Sequence, residues 1–175
     1  MITILDKTFV PFIEREKLEE RISELASQIS ADYKDRCPLF IVVLNGAFLF
    51  ATELVKRTQL SCEITFVKLA SYSKTESTGS VRQIIGLEDQ IADRDVIIIE
   101  DIVDTGLTMS QLVDQISALN PASLEIATLL HKPDALQKPV NMRYIGFEIA
   151  NRFVVGYGLD YDGLGRNLDA LYVIS

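Results

Sequence analysis

The stretch that decides the fold is VIIIEDIVDTGLT, residues 96–108. It begins as a run of β-branched apolar residues, which predicts a strand buried on both faces. The strand leads directly into acidic residues and then into Asp-Thr-Gly, after which LTMSQLVDQISAL, residues 107–119, has helical spacing. A strand, an acidic loop and a helix in this order indicate a parallel α/β domain.

The same alternation extends to both sides of this stretch. Four further apolar runs predict strands, and two further segments have the spacing of amphipathic helices. The strands are LFIVVL (39–44), EITFVKL (63–69), LEIATLL (124–130) and YIGFEI (144–149), and the helices are EREKLEERISELASQISADYK (14–34) and AFLFATELVKR (47–57). We therefore expect an α/β fold with a central, mostly parallel sheet flanked by helices, in one domain over residues 1–175.

Composition and charge limit the classes of function. The chain has 175 residues, a formal net charge of -8 and no run of Lys or Arg, which disfavours nucleic acid and anionic membranes as partners. It has 2 cysteines, 1 histidine and no CxxC spacing, which argues against a zinc site or a disulfide framework. Since the N-terminus lacks a signal-peptide pattern and no apolar run approaches the ~20 residues of a membrane span, we expect a cytoplasmic protein.

The loop that follows the strand at residues 96–100 carries the chemistry. Glu100 and Asp101 are suited to binding two neighbouring hydroxyls, such as a ribose diol, directly or through magnesium. Thr105 to Thr108 supply hydroxyls and backbone N–H groups at a helix N-terminus, which suits a phosphate. Helix capping and solvated acids are the structural alternatives, but the ordered combination favours a site at the carboxyl end of the strand.

This loop resembles the phosphoribosyl pyrophosphate (PRPP) motif of the type I phosphoribosyltransferase family, and most of the chain resembles the purine branch of that family. The similar segments are VVLNGAFLF (42–50), LASY (69–72), STG (77–79), LLHK (129–132), YIGFEI (144–149), RFVVGYGLDY (152–161) and GRNL (165–168). The resemblance implies the type I fold, with a core over about residues 35–150 and a small hood formed by the N-terminal residues and about residues 151–175. It also implies transfer of phosphoribosyl from PRPP to hypoxanthine and guanine, giving IMP or GMP and pyrophosphate, with Mg²⁺.

The resemblance also assigns residues to the phosphoribosyl and metal sites. It places ribose phosphate at Glu100, Asp101, Asp104, Thr105, Gly106, Leu107 and Thr108, and metal at Glu100, Asp101 and Asp160. Asp104 is given the role of general base or acid toward N7 of the purine. In isolation, Asp104 would read as a helix cap.

A second group of residues is assigned to the purine. Lys132 is expected to contact the 6-oxo group, where a cation stabilises charge that develops on the ring. Phe153 is expected to stack on the base, Val154 to read the purine edge through its backbone, and Asp160 to lie beside the base as well as the metal. Without the resemblance, Lys132 would be interpreted as a surface lysine and Phe153 as part of the core.

Pyrophosphate is assigned to Leu44, Asn45, Gly46 and Arg166. In this family the first three form a small loop with a cis peptide bond before its middle residue. Many relatives have Lys or Arg where this chain has Asn45, so one direct charge contact to pyrophosphate is lost. Ser71 and Tyr72 begin a polar stretch, about residues 71–82, that resembles the flexible lid that excludes water in this family.

Two alternatives remain open at this point. A regulatory PRPP-sensing or RNA-binding protein on the same fold would share the PRPP loop but would need a basic surface. An enzyme for adenine, xanthine or uracil would use the same ribose chemistry, although Lys132 favours a base with an oxo group at position 6. The family is usually dimeric or tetrameric, so we expect a homodimer or homotetramer.

Overall fold

The computed structural model describes residues 1–70, 82–85 and 91–175. The predicted lid residues Ser71 and Tyr72 lie outside the described residues. Numbered along the chain, the strands are β1 (Ile2–Ile4), β2 (Lys7–Ile13), β3 (Leu39–Leu44), β4 (Glu63–Ala70), β5 (Arg82–Ile85), β6 (Asp95–Val103), β7 (Ser123–His131), β8 (Tyr144–Glu148), β9 (Val154–Val155) and β10 (Leu171–Ile174), and the helices are α1 (Arg15–Asp32), α2 (Phe48–Arg57) and α3 (Leu107–Ser117).

The central sheet has the strand order β5-β4-β3-β6-β7-β8. Five of these strands are parallel to one another, and β5 pairs antiparallel with β4. The expected mostly parallel sheet is confirmed. β6 lies in the middle of this sheet, and Val96 to Ile99 are fully buried, which is why the sequence there is continuously apolar.

Helices cover both faces of the sheet. The buried residues of α1 and α2 share one core cluster with one face of the strands, and those of α3 share a second cluster with the other face. In α1 the fully buried positions include Leu18, Ile22, Leu25 and Ile29, the same apolar stripe that predicted the helix. Of the helices among the described residues, none is both long and apolar enough to cross a membrane.

The expected hood is confirmed as a second, smaller sheet of order β1-β2-β10-β9. It joins the N-terminal hairpin to the last strand of the chain, and all its neighbouring strands are antiparallel. Pro11 lies within β2, where it pairs with Tyr172 next to a register shift. A proline is tolerated there because an irregular pairing does not require every ladder hydrogen bond.

The order of the strands fixes where a ligand can bind. β3 continues through α2 to β4 on one side, whereas β6 continues through α3 to β7 on the other, and β3 and β6 are neighbours. The connections therefore diverge between the carboxyl ends of β3 and β6. In open α/β sheets such a switch point is the place where ligands bind.

Candidate active site

The loop from β6 to α3 lines a small cleft at the switch point. The cleft has a volume of about 110 Å³ and is lined by Glu100, Ile102, Val103, Asp104, Thr105, Gly106, Thr108 and Met109. Gly106 directly precedes α3 and has a φ of 76°, a left-handed conformation that favours glycine. The N–H of Leu107 donates to Oγ1 of Thr105 at 3.4 Å. The next N–H groups of α3 have no partner within the helix and lie at this cleft.

Glu100 and Asp101 are buried carboxyl groups on one rigid strand. Each is only 9% exposed. Burial raises the pKa of Glu100 well above its usual range, and the neighbouring charge and side chain of Asp101 raise it further. Without a ligand, ionising both buried carboxyl groups therefore costs free energy, and a bound cation or hydroxyl donors would lower this cost.

The raised pKa of Glu100 predicts how stability depends on pH. The folded protein binds this proton more tightly than the unfolded chain, so the associated stability is complete below the ordinary pKa of 4.5 and is lost as pH rises through the raised folded value. Glu100→Gln keeps a neutral side chain at every pH. We expect its Tm in the ligand-free state to exceed that of the unsubstituted protein increasingly as pH rises.

Thermal unfolding across a pH series measures this difference. The matched control is Glu20→Gln, which neutralises an exposed glutamate on α1 and should leave the Tm difference nearly constant with pH. If the Tm difference between Glu100→Gln and the unsubstituted protein shrinks as pH rises, an ionisable pair is not buried at this site.

The Leu44-Asn45-Gly46 loop follows β3 on the other side of the switch point. The peptide bond between Leu44 and Asn45 is cis, as the resemblance implies. A methyl group placed on Gly46 would lie 1.5 Å from a carboxylate oxygen of Asp101, and one placed on Gly158 would lie 2.0 Å from the carbonyl oxygen of Gly46. The backbone contact requires glycine at position 158, whereas a side chain at position 46 would force the Asp101 carboxylate to move. The loop is therefore packed between the acidic pair and the segment 156–160.

Arg166 joins the same assembly from the hood side. It donates to the carbonyl oxygen of Gly158 at 2.7 Å and forms an ion pair of 2.6 Å with Asp160. The other carboxylate oxygen of Asp160 accepts a hydrogen bond from the backbone of Gly163 at 2.7 Å. These contacts hold the guanidinium of Arg166 beside the Leu44-Asn45-Gly46 loop. At this position the guanidinium is suited to binding phosphate oxygens.

Lys132 lies at the end of β7 and faces Asp104. Its Nζ donates to Oδ2 of Asp104 at 2.8 Å, and its backbone N–H donates to the carbonyl oxygen of Val103 at 3.0 Å. Lys132 is only 7% exposed, so it is not the surface lysine that the local sequence suggests. The half-exposed carboxylate of Asp104, which can accept or donate a proton, thus lies beside the buried positive charge of Lys132.

Phe153 and Val154 lie at the start of the hood strand β9. Phe153 is 45% exposed, whereas Val154 is buried. The ring of Phe153 meets that of Tyr161 edge to face at 5.8 Å and that of Phe9 at 6.3 Å. The hydroxyl of Tyr161 donates to Asp6 at 2.7 Å, so these rings hold Phe153 in place and leave part of it free to contact a ligand.

The donor set fits the magnesium that the resemblance implies. Magnesium is commonly held by one or two carboxylates together with oxygens of a phosphorylated substrate. Glu100 and Asp101 provide adjacent, mutually repelling carboxylates, while both oxygens of Asp160 already have partners. Within residues 1–70, 82–85 and 91–175, no three His, Cys, Asp or Glu side chains are gathered as a metal site.

Three contributors to the site were not predicted from the sequence. They are Gly158, which packs on the Gly46 loop, Tyr161, which supports Phe153, and the connection 133–140 between β7 and β8, which packs on Gly106. The two glycines in VGYGLD are the one sequence signal that could have indicated a close backbone approach. The connection 133–140 has a 3₁₀ turn at Pro133–Ala135.

Comparison with known proteins gives a consistent result. Residues 13–162 match the family model described as the phosphoribosyl transferase domain. Hypoxanthine-guanine phosphoribosyltransferase from Mycobacterium bovis is 45% identical over 160 residues, which cover 87% of this chain and 79% of that protein. The enzyme of the same name from Bacillus subtilis is 39% identical over 164 residues, covering 93% and 91%.

Solved structures agree with the sequence relatives. The crystal structure of a hypoxanthine-guanine phosphoribosyltransferase from Bacillus anthracis, which has a HEPES molecule in its active site, superposes with a TM-score of 0.90 at 34% identity. The match covers 97% of this chain and 98% of that one. The expected type I fold is therefore confirmed.

Proposed function

The chain belongs to the phosphoribosyltransferase family, and we propose that it transfers the 5-phosphoribosyl group of PRPP to hypoxanthine and guanine. The products are IMP or GMP and pyrophosphate. This is purine salvage, in which a free base is returned to the nucleotide pool. The relatives from Mycobacterium bovis, Bacillus subtilis and Bacillus anthracis are phosphoribosyltransferases, which does not support the regulatory alternative.

One observation carries the proposal. An acidic pair, the start of helix α3 and an Asp104–Lys132 pair share the carboxyl edge of one parallel sheet, at its switch point. The acidic pair suits ribose hydroxyls, the helix start suits the 5′-phosphate, and the lysine suits an oxo group on a base. These are the parts of a 6-oxopurine nucleotide.

The ribose phosphate would be positioned by the end of β6 and the loop that follows it. We assign the 5′-phosphate to the backbone and hydroxyl groups of Thr105 to Thr108, and the ribose diol to Glu100 and Asp101. Because Glu100 and Asp101 lie near the end of β6 and Thr105 to Thr108 follow it directly, the anomeric carbon is held at a fixed place in front of the base. Fixed placement of two reactants lowers the entropy cost of the reaction.

The purine would lie between Phe153 and the Asp104–Lys132 pair. In IMP the ribose is bonded to N9, so N9 attacks the anomeric carbon as the bond to the pyrophosphate oxygen breaks, and the ring is left with a surplus proton on N7. Asp104 takes up that proton, and Lys132 stabilises charge at the 6-oxo group. In the reverse direction, Asp104 returns the proton to N7.

Pyrophosphate would leave toward the Leu44-Asn45-Gly46 loop and Arg166. When bound, magnesium neutralises charge on this leaving group, and Glu100 and Asp101 are the residues of this chain that would hold it. Arg166 and the backbone of the loop supply the contacts that Asn45, an uncharged residue, does not.

A direct assay tests the proposal. Purified protein with Mg²⁺, PRPP and hypoxanthine should produce IMP, and guanine should compete with hypoxanthine for the same site. Parallel reactions with xanthine, adenine and uracil give the choice of base, and adenine should be the poorer purine because it lacks the 6-oxo acceptor for Lys132. If no IMP forms over a range of magnesium and PRPP concentrations, the assignment is wrong.

We also propose that the protein assembles at least as a dimer. Phe48, Ile64 and Phe66 are 38%, 47% and 46% exposed and lie along one apolar groove between α2 and β4. Contiguous exposed apolar residues of this kind commonly mark an interface. We propose that a second copy of the chain binds this groove. Because α2 begins just after the Leu44-Asn45-Gly46 loop, a dimer contact on α2 would also stabilise that loop.

Phe66→Ser should therefore shift the protein toward the monomer. Light scattering at micromolar concentration should give at least twice the chain mass for the unsubstituted protein and a lower average mass for the variant. Leu119→Ser is the matched control, since Leu119 is 45% exposed at the end of α3, away from this groove. A monomeric mass for the unsubstituted protein would contradict the dimer.

A further inference from the structure

The connection between β7 and β8 lies against residues 104–108, which we name the phosphate loop because we assign the 5′-phosphate to it. It leaves β7 directly after Lys132, forms the 3₁₀ turn at Pro133–Ala135 and continues to Val140. We name residues 133–140 the strap. A methyl group placed on Gly106 would lie 2.3 Å from the carbonyl oxygen of Lys138 and 2.8 Å from the side chain of Leu136, so the strap touches the loop where α3 begins.

The strap also holds one peptide group of the loop by hydrogen bonds. The backbone N–H groups of Gln137 and Lys138 both donate to the carbonyl oxygen of Thr105, at 2.9 and 3.1 Å. In a trans peptide the C=O and the following N–H point in opposite directions. With the carbonyl of Thr105 fixed toward the strap, the N–H of Gly106 is directed to the other side of the loop.

That orientation matters for an anion. The cleft at the start of α3 is lined by Thr105, Gly106 and Thr108, and backbone N–H groups directed into such a cleft bind phosphate. If the Thr105–Gly106 peptide turned over, the cleft would present a carbonyl oxygen, which repels an anion. Side chains keep the strap in place, since Leu136 and Val140 pack against the core cluster that contains Met109 and Leu112.

We propose that the strap is a positioning element that fixes the Thr105–Gly106 peptide for the 5′-phosphate. This inference rests on the proposed function, because it concerns the phosphate of the same substrate. Leu136 acts only through the backbone that it holds, so it is a positioning residue. The strap is continuous in sequence with Lys132, and the base and phosphate sites are thus supported by one short segment.

The test compares IMP with inosine, which lacks only the phosphate. Leu136→Ala should weaken IMP binding at least about tenfold, the order expected for one lost hydrogen bond to a charged group, while inosine affinity stays within about twofold, since inosine makes no use of the phosphate loop. Leu124→Ala is the matched control, because it truncates a leucine of similar burial in the same core cluster at the far end of β7. Gln137→Pro, which removes one of the two donors, is the second variant if Leu136→Ala does not fold.

The outcomes separate two failures. If the ratio of IMP affinity to inosine affinity is unchanged in the strap variants, the strap has no positioning role. The same holds if that ratio falls equally in Leu124→Ala. Neither outcome contradicts the proposed function. If the unsubstituted protein binds neither compound and forms no IMP, the proposed function fails and the strap's role fails with it.

Discussion

Asp104→Asn is expected to lower kcat by about 10²- to 10⁴-fold, the usual range for loss of a general acid-base group. PRPP affinity should change by only a few fold. Asparagine has nearly the same shape, and its amide oxygen can still accept the hydrogen bond that Lys132 donates at 2.8 Å to Asp104. What it lacks is the ability to take up the proton that N7 of the purine must lose.

Pre-steady-state turnover and PRPP titration measure the two quantities separately. Asp134→Asn is the matched control, because Asp134 is an exposed acid on the 3₁₀ turn just after Lys132. It removes the same charge close to the site without removing the base. Should Asp104→Asn reduce kcat and PRPP affinity by equal factors, Asp104 would be a binding residue rather than a base.

The central sheet could be predicted because its residues have a simple environment. β3 was predicted at its observed bounds, Leu39–Leu44, since five of its six residues are buried and the run is continuously apolar. The hood strands could not be predicted in this way. β9 has two residues and β10 has four, too few for a period to be recognised, and β2 contains Pro11, which usually argues against a strand.

The same distinction applies to the site. The end of β6 and the loop after it were recognisable because their acids, threonines and glycine all lie within residues 100–108, so one short segment contains the whole phosphate and ribose chemistry. Lys132 reads as a surface residue because nothing local shows that Asp104, 28 residues away, will cover it. Contacts between distant backbone segments leave little local trace, and for that reason the strap and Gly158 were missed.

Gly46→Ala is expected to lower kcat/KM by at least about 10²-fold, the cost of displacing a reacting group by roughly 1 Å. The added methyl group would lie 1.5 Å from an oxygen of Asp101, which is far inside contact distance. Either the Gly46 loop or the Asp101 carboxylate must move. The first displaces the groups assigned to pyrophosphate and the second displaces those assigned to ribose and magnesium, so both routes separate the leaving group from its contacts.

The control for this substitution has to separate local collision from general strain. Gly163→Ala provides it, because a methyl group there meets nothing within 4 Å although φ is +82°. That variant should lose about 1 kcal/mol of stability from the left-handed backbone and retain kcat/KM within a few fold. Steady-state kinetics with hypoxanthine and PRPP, together with Tm, should therefore show a large kinetic loss for Gly46→Ala alone. If Gly46→Ala retains nearly full activity, the close contact between Gly46 and the Asp101 side chain is not needed for catalysis. The pyrophosphate contacts must then be sought elsewhere.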